Sequence, residues 1–423
     1  MFLLVSAVLA LQRKGGDMFD LLFVGNPAVN EAIAEPEDMP QSLIARLRRA
    51  TLKTLEKTYD LAIESRAQAI VLCGSILNPA RVSPAQLISL RRLILRAADE
   101  DCETLWVTSN PTDVQEFLRI LGEPKGLSFA TPVHPWTRTI RSTTVELWAL
   151  SNDTDFDRFA TQSSFEPLHR QILIGSDACH APSRPMTSFL SSTHTTQANT
   201  LVIWATNSIR ALPQHISLLP TIQSRSHTDA ENSGCYGLTF YSLQSTDGDD
   251  LTSVKKSPVD QWKQLPVSEV LWRTVRVESA DEDHEALAQL LWEACNSLVE
   301  DEVNKVKELI PDAMPLVIMN CQIACGTSIT RRLEVSEIAQ ETKRILRERC
   351  AAASPHIWIA SISADVTEPL AALGRNRSGG RPGASNSFTS ALADLVTEAE
   401  SESPAALTDR EAAWLALELL ESE

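Results

Sequence analysis

The chain has 423 residues, 43% of them hydrophobic and 22% charged, so it can bury two or three domain cores and has the balance of a globular protein. Its formal net charge of −17 leaves few cations to displace counterions from a phosphate backbone, which argues against direct DNA binding as its main task. Arg46, Arg48 and Arg49 form a local basic cluster, read more readily as a solvated helix face than as a groove. The eight cysteines include no Cys-x-x-Cys pair, and Cys321 and Cys325 stand at helical rather than zinc-ribbon spacing. Free thiols in a reducing cytoplasm are the simplest reading. The opening MFLLVSAVLALQRKGG has a short apolar run with Arg13 and Lys14 after it, unlike a secretory signal. Met18 is the expected start, with residues 1–17 an upstream extension. No stretch has the length of a membrane span.

In chain order, Leu21 to Gly25 reads as a buried strand. Residues 41–65 then carry Ile44, Leu47, Thr51, Leu55, Tyr59 and Ala62 at helical spacing. Ala69 to Gly74 is a second buried strand, and Ser83-Pro84-Ala85-Gln86 opens a helix with a capping box and proline at its first position. Thr104 to Thr108 is a third strand. Thr112 to Gln115 is expected to cap the next helix, and Gly122 to end it. This alternation predicts parallel strands joined by helical crossovers. Residues 127–150, 170–175, 201–205 and 236–243 are strand-like runs joined by Ser-, Thr- and Pro-rich loops, and we expect a second, more antiparallel sheet. A smaller α/β unit follows: a strand at 270–277, a helix opened by Ser279-Ala280-Asp281-Glu282, a strand at 315–324, a helix at 335–350 and a strand at 356–362. Residues 371–386 have the composition of a flexible linker, and 387–423 form an acidic tail with helical patterns.

Ligands in parallel α/β sheets gather beyond the carboxyl ends of the strands. Here those positions are Gly25-Asn26-Pro27-Ala28, Gly74 to Asn78 and Ser109 to Asp113. Their spacing, the segment Ser65 to Gly74 and the segment Leu219 to Tyr241 resemble calcineurin-like metallophosphoesterases, specifically the SbcD-type nuclease subunit of bacterial SbcCD complexes. The resemblance covers about residues 19–366. It implies a layered α/β sandwich over 18–265 and a small C-terminal α/β capping domain over 266–370. It also implies two manganese or magnesium ions, held by Asp-x-His, Gly-Asp-x-x-Asp and Gly-Asn-His-Asp motifs.

This chain departs from those motifs. Asn26 and Ala28 stand at the first Asp and His, Ser75 and Asn78 at the second pair, and Asn110 is kept while Pro111 replaces the catalytic histidine. The later histidine motifs are missing near Ile172 to Gly175 and Trp204 to Arg210. Neutral amides and a serine do not supply the anionic charge that two close divalent cations require. No metal, no cofactor and no metal-dependent hydrolysis are therefore expected. By resemblance, the expected role is a non-catalytic scaffold or regulator linked to DNA repair, its partner an SbcC-like coiled-coil ATPase or a second copy of itself. Trp414, Leu415 and Leu419 in the acidic tail are the candidate docking residues. Two alternatives stay open. One is a phosphodiesterase with a rearranged single-metal site on Asp113, Asp177 and His180. The other is a ligand-binding or structural homolog unrelated to DNA.

Overall fold

The computed structural model describes residues 18–150, 169–176, 200–205, 216–226, 233–240, 261–279, 283–324, 337–354 and 356–364. The chain divides into two compact units, Met1–Leu271 with Lys305–Ala313, and Trp272–Asn304 with Met314–Glu423. Mixed α/β structure builds both, with three sheets and five helices among the described residues.

In the first unit, β1 (Leu21–Gly25), β2 (Ala69–Cys73), β3 (Glu103–Val107) and β4 (Leu127–Ala130) are parallel neighbours in that order. β10 (Cys235–Thr239) adds antiparallel to β1, and β11 (Gln261–Leu265) closes that edge antiparallel to β10. Every residue of β1 and β2 is buried, the signature of strands covered on both faces. Leu22, Val24, Ile70, Leu72 and Trp106 pack under α1 (Gln41–Ser65), α2 (Pro84–Asp99) and α3 (Pro111–Leu121). The alternate residues Leu21, Phe23, Val71 and Leu105 face a second sheet.

That second sheet runs β5 (Trp136–Ile140), β6 (Thr143–Ala149), β7 (His169–Ser176), β8 (Thr200–Ala205), β9 (Ile216–Leu219). Its strands are parallel from β6 to β9, and only β5 pairs antiparallel, with β6. This corrects the expectation of a more antiparallel sheet. The long stretches between β6 and β7 and between β7 and β8 are the signal to read, because a parallel crossover needs about a dozen residues or more. The β5–β6 hairpin turns on Arg141 and Ser142, both with positive φ (45° and 70°). Such two-residue turns usually take Asn-Gly. Here the Arg141 guanidinium is held 2.8 Å from the buried Asp20 carboxylate, which also accepts from Phe240 N–H at 2.7 Å. Burial raises the Asp20 carboxyl above its ordinary value, against the pull of Phe240 N–H and Arg141.

The helices form where their signals stand, with one correction. Ser83 and Gln86 make the reciprocal capping box of α2, and Gly122 ends α3 in the left-handed region. The cap of α3 is Asn110, not Thr112: its side-chain oxygen accepts from Thr112 N–H, and Pro111 takes the first helical position. The helix α4 (His284–Leu309), which lies in the second unit up to Asn304, is capped by Asp283, which accepts from Ala286 N–H at 3.2 Å. Residues 280–282 of the expected box lie outside the described residues.

The second unit has a three-stranded sheet in the order β12 (Val270–Glu278), β13 (Leu316–Ala324), β14 (Ile357–Ala364), the last two parallel, with α5 (Glu337–Ala353) leading into β14. The Arg347 guanidinium lies 4.1 Å from the Trp358 ring centre, a cation–π contact. Cys295 and Cys321 bring their sulfurs to 3.9 Å in the core. Their mutual hydrogen bond and then burial push the Cys321 thiol up, and burial pushes Cys350 up to about 12. All six described cysteines are free and buried, where they pack as small apolar groups.

A buried carboxamide pins α1 to two later segments of the first unit. Gln223, 1% exposed, accepts from Thr54 Oγ1 and from the N–H groups of Glu269 and Val270, and donates to the carbonyls of Ser224 and Val270. Glu269 in turn receives Arg46 at 2.8 Å and Lys57 at 2.6 Å. Gln223→Ala would strand several buried donors and acceptors, and we expect a loss of about 2–4 kcal/mol in unfolding free energy by denaturant titration. A loss under about 0.5 kcal/mol would show that water or rotamer changes replace the network.

Candidate functional site

The carboxyl ends of β1 and β2 do not splay apart. Their parallel pairing continues into the two loops beyond them, where Asn26 N–H donates to Cys73 O (2.8 Å), Ala28 N–H to Ser75 O (2.8 Å) and Val29 N–H to Ile76 O (2.9 Å). The Asn26 side chain adds a cross-link, its Oδ1 accepting from Ser75 N–H at 2.9 Å. Reaching this geometry puts Asn26 and Ala28 at φ of 40° and 39°, the left-handed region, at a cost of about 1–2 kcal/mol per residue. Gly74, also left-handed (φ 78°), has no room for a side chain: a Cβ there would collide with Asn26 Oδ1.

A third segment completes this joint. Gly25 O accepts from Ile222 N–H at 2.8 Å, and Asn26 O accepts from Thr221 Oγ1 and an Arg225 amino group, each at 3.2 Å. Arg225 also pairs with Glu31, whose other carboxylate oxygen lies 3.4 Å from Ser75 Oγ. Asn78 is held by Asn30: Asn78 N–H donates to Asn30 Oδ1 at 2.8 Å, and Asn30 Nδ2 donates back to Asn78 O at 3.2 Å. The Asn78 side chain caps its own turn, accepting from Ala80 N–H at 3.0 Å. Nothing local in the sequence marks the individual roles of Asn30, Glu31, Thr221 and Arg225, because these depend on which loop meets them.

At the end of β3, Asn110 is exposed and occupied as the helix cap, and its Nδ2 donates to Asp113 Oδ1 at 2.7 Å. Asp113 sits in the first turn of α3, where the helix dipole favours an anion. Burial and then the nearby Glu116 raise its carboxyl above the ordinary value, while Asn110 and Thr108 hold it down.

The turn after β2, the end of β3, residues Ala149 and Leu150 at the end of β6, and Gly175 and Ser176 in β7 surround a cavity of about 190 Å³. Gly74, Ala149 and Gly175 line it, and a Cβ at Gly175 would collide with the Trp204 ring. Ser75 and Asp113 line this cavity, whereas Asn26, Ala28, Asn78, Asn110 and Pro111 do not.

The described residues do not fit a two-metal centre. Ala28 and Pro111 have no side-chain donor, and Asn26, Asn78 and Asn110 spend their side-chain oxygens on backbone N–H groups. Among the described residues no group of three or more His, Cys, Asp or Glu side chains is placed to hold a metal ion. Asp177 and His180, the other members of the single-metal alternative, lie outside the described residues, as do Trp414, Leu415 and Leu419. Among the described residues no helix is long and apolar enough to cross a membrane.

No protein-family model matches the sequence, and no curated protein matches it. Among solved structures the chain is similar to the crystal structure of TT1561 of Thermus thermophilus, with a TM-score of 0.27 and 14% identity over 44% of this chain and 81% of that one.

The joint predicts coupling between its two tight positions. Gly74→Ala should cost about 2 kcal/mol or more, from left-handed strain plus the collision with Asn26. Asn26→Ala should cost about 1–3 kcal/mol through the orphaned Ser75 N–H. The double variant should lose at least about 1 kcal/mol less than the sum, because the collision is gone. Denaturant unfolding of the four proteins measures this, and additivity within about 0.5 kcal/mol would contradict the contact.

Proposed function

We propose that this chain is a non-catalytic relative of the SbcD-type nuclease subunits, acting as a scaffold or regulator linked to DNA repair. One observation carries the reading: where the resemblance requires metal ligands, the chain has neutral or donor-free side chains, and the three asparagines are committed to hydrogen bonds inside the protein. Two cations held close together need several anionic or imidazole donors to offset their charge, then to clamp phosphate and generate hydroxide. The face-to-face packing of the two sheets of the first unit and the small α/β second unit are compatible with the sandwich and capping domain that this reading expects.

On this reading the partner is an SbcC-like coiled-coil ATPase or a second copy of the chain, met through residues 387–423 with Trp414, Leu415 and Leu419 as anchors. The formal charge of −17 favours a protein partner over direct contact with DNA. The cavity favours a second reading, a ligand-binding homolog whose site is occupied by something other than metal and phosphate.

Incubated with manganese, a chromogenic phosphodiester and linear duplex DNA, the purified chain is expected to show no turnover above buffer. Manganese-dependent turnover that falls at least about a hundredfold in Asp113→Ala or Asp177→Ala would replace this reading with the rearranged single-metal site. Co-purification with a coiled-coil ATPase, lost when 387–423 are deleted, is the expected positive result for the scaffold role.

A further inference from the structure

The cavity at the carboxyl ends of β2, β3, β6 and β7 is bounded by residues whose chemistry selects a ligand class. The charged group among its described walls is the Asp113 carboxylate, fixed in place by Asn110 Nδ2 at 2.7 Å. Around it the lining includes four hydroxyl side chains, Ser75, Thr108, Ser109 and Ser176. The lining also includes apolar side chains, among them Ile76 and Phe117 on the first sheet's side and Leu150 and Ile174 on the second's. At about 190 Å³ the space is smaller than the roughly 300–1,000 Å³ pockets that hold drug-sized ligands.

We infer that this cavity takes a small organic ammonium, a primary amine on a short apolar body, with its head group on Asp113. An ammonium carries three N–H donors and needs acceptors, which a carboxylate and neighbouring hydroxyls provide. Its charge would offset the cost of holding Asp113 ionised, a cost that partial burial and Glu116 both impose. A phosphate would meet the opposite field. The positive end of α3, which elsewhere receives phosphate groups, is here already faced by Asp113 from within the same helix. A second anion within a few ångströms of that carboxylate would be repelled. Nearby, the Arg225 guanidinium is paired with Glu31 and bonded to Asn26 O.

This inference rests on the non-catalytic reading of the same site, and the test separates the two. The full chain, in metal-free buffer, is titrated with phenethylammonium, with its neutral analogue phenethyl alcohol and with inorganic phosphate, followed by protein and ligand NMR. Phenethylammonium should bind saturably and at least about tenfold more tightly than the alcohol, the factor expected of one charge-assisted hydrogen bond. Asp113→Asn, which keeps the side chain's shape, should bring the two affinities together. Ser109→Phe, at the half-buried mouth, should weaken both. Absence of saturable amine binding, equal affinities in the native chain, or an unchanged preference in a folded Asp113→Asn protein overturns the ammonium site and leaves the non-catalytic reading standing. Saturable phosphate binding at this cavity overturns the assigned charge preference. Manganese-dependent phosphodiester turnover would overturn the non-catalytic reading itself.

Discussion

The first unit is organised around hydrogen bonding that does not stop where β1 and β2 stop. Parallel strands leave their last N–H and C=O groups facing the loops that follow, and these groups must find partners wherever water is excluded. Here the two loops become each other's partners through Asn26, Ala28, Val29, Ser75 and Ile76. The segment at Thr221 to Arg225 then closes over Gly25 and Asn26. Left-handed backbone at two non-glycine residues persists because the surrounding bonds determine it. A carboxylate at position 26 could accept the same Ser75 N–H, which the Asn26 carboxamide accepts without a negative charge.

Much of the framework was legible from residue pattern. β1, β2 and β3 are short continuous apolar runs, and α1 carries a stripe in which Leu47, Thr51, Leu55, Tyr59 and Ala62 are all buried, as helical spacing requires. Ser83 and Gln86, and Gly122, announce their helix ends through local chemistry alone. What pattern could not reach is set by distant partners. β11 has an exposed, polar sequence, QWKQL, and exists as a strand because β10 offers it an edge. The Arg141-Ser142 turn lacks the usual turn residues, and Asp20, far away in sequence, supports it. Asn110 took the cap that Thr112 was expected to hold because Pro111 fits the first helical position and places Asn110 just before it.

The candidate site was legible in a narrower sense. That Asn26, Ala28, Ser75, Asn78 and Pro111 are neither carboxylates nor imidazoles can be read directly from the chain. How they are held cannot, since it depends on Asn30 and Glu31 in the loop after β1 and on Thr221 and Arg225 from a distant segment. Nor does a sequence reveal a cavity, which is lined here by residues from both sheets of the first unit. Asp113 shows the same limit. Its bond from Asn110 and its place on the wall of a small cavity come from the fold and not from its residue type.

Under the reading proposed above, the hydrogen-bonded joint beyond β1 and β2 takes the place of a two-metal centre. The most direct measurement of that difference is the manganese content of the purified full-length protein after equilibration with excess manganese and removal of free ion, by plasma mass spectrometry. A joint of this kind predicts well under one ion per chain, unchanged by Asn26→Ala or Ser75→Ala. Two ions per chain, lost on substitution at Asn26 or Ser75, would contradict it and return the site to metal chemistry.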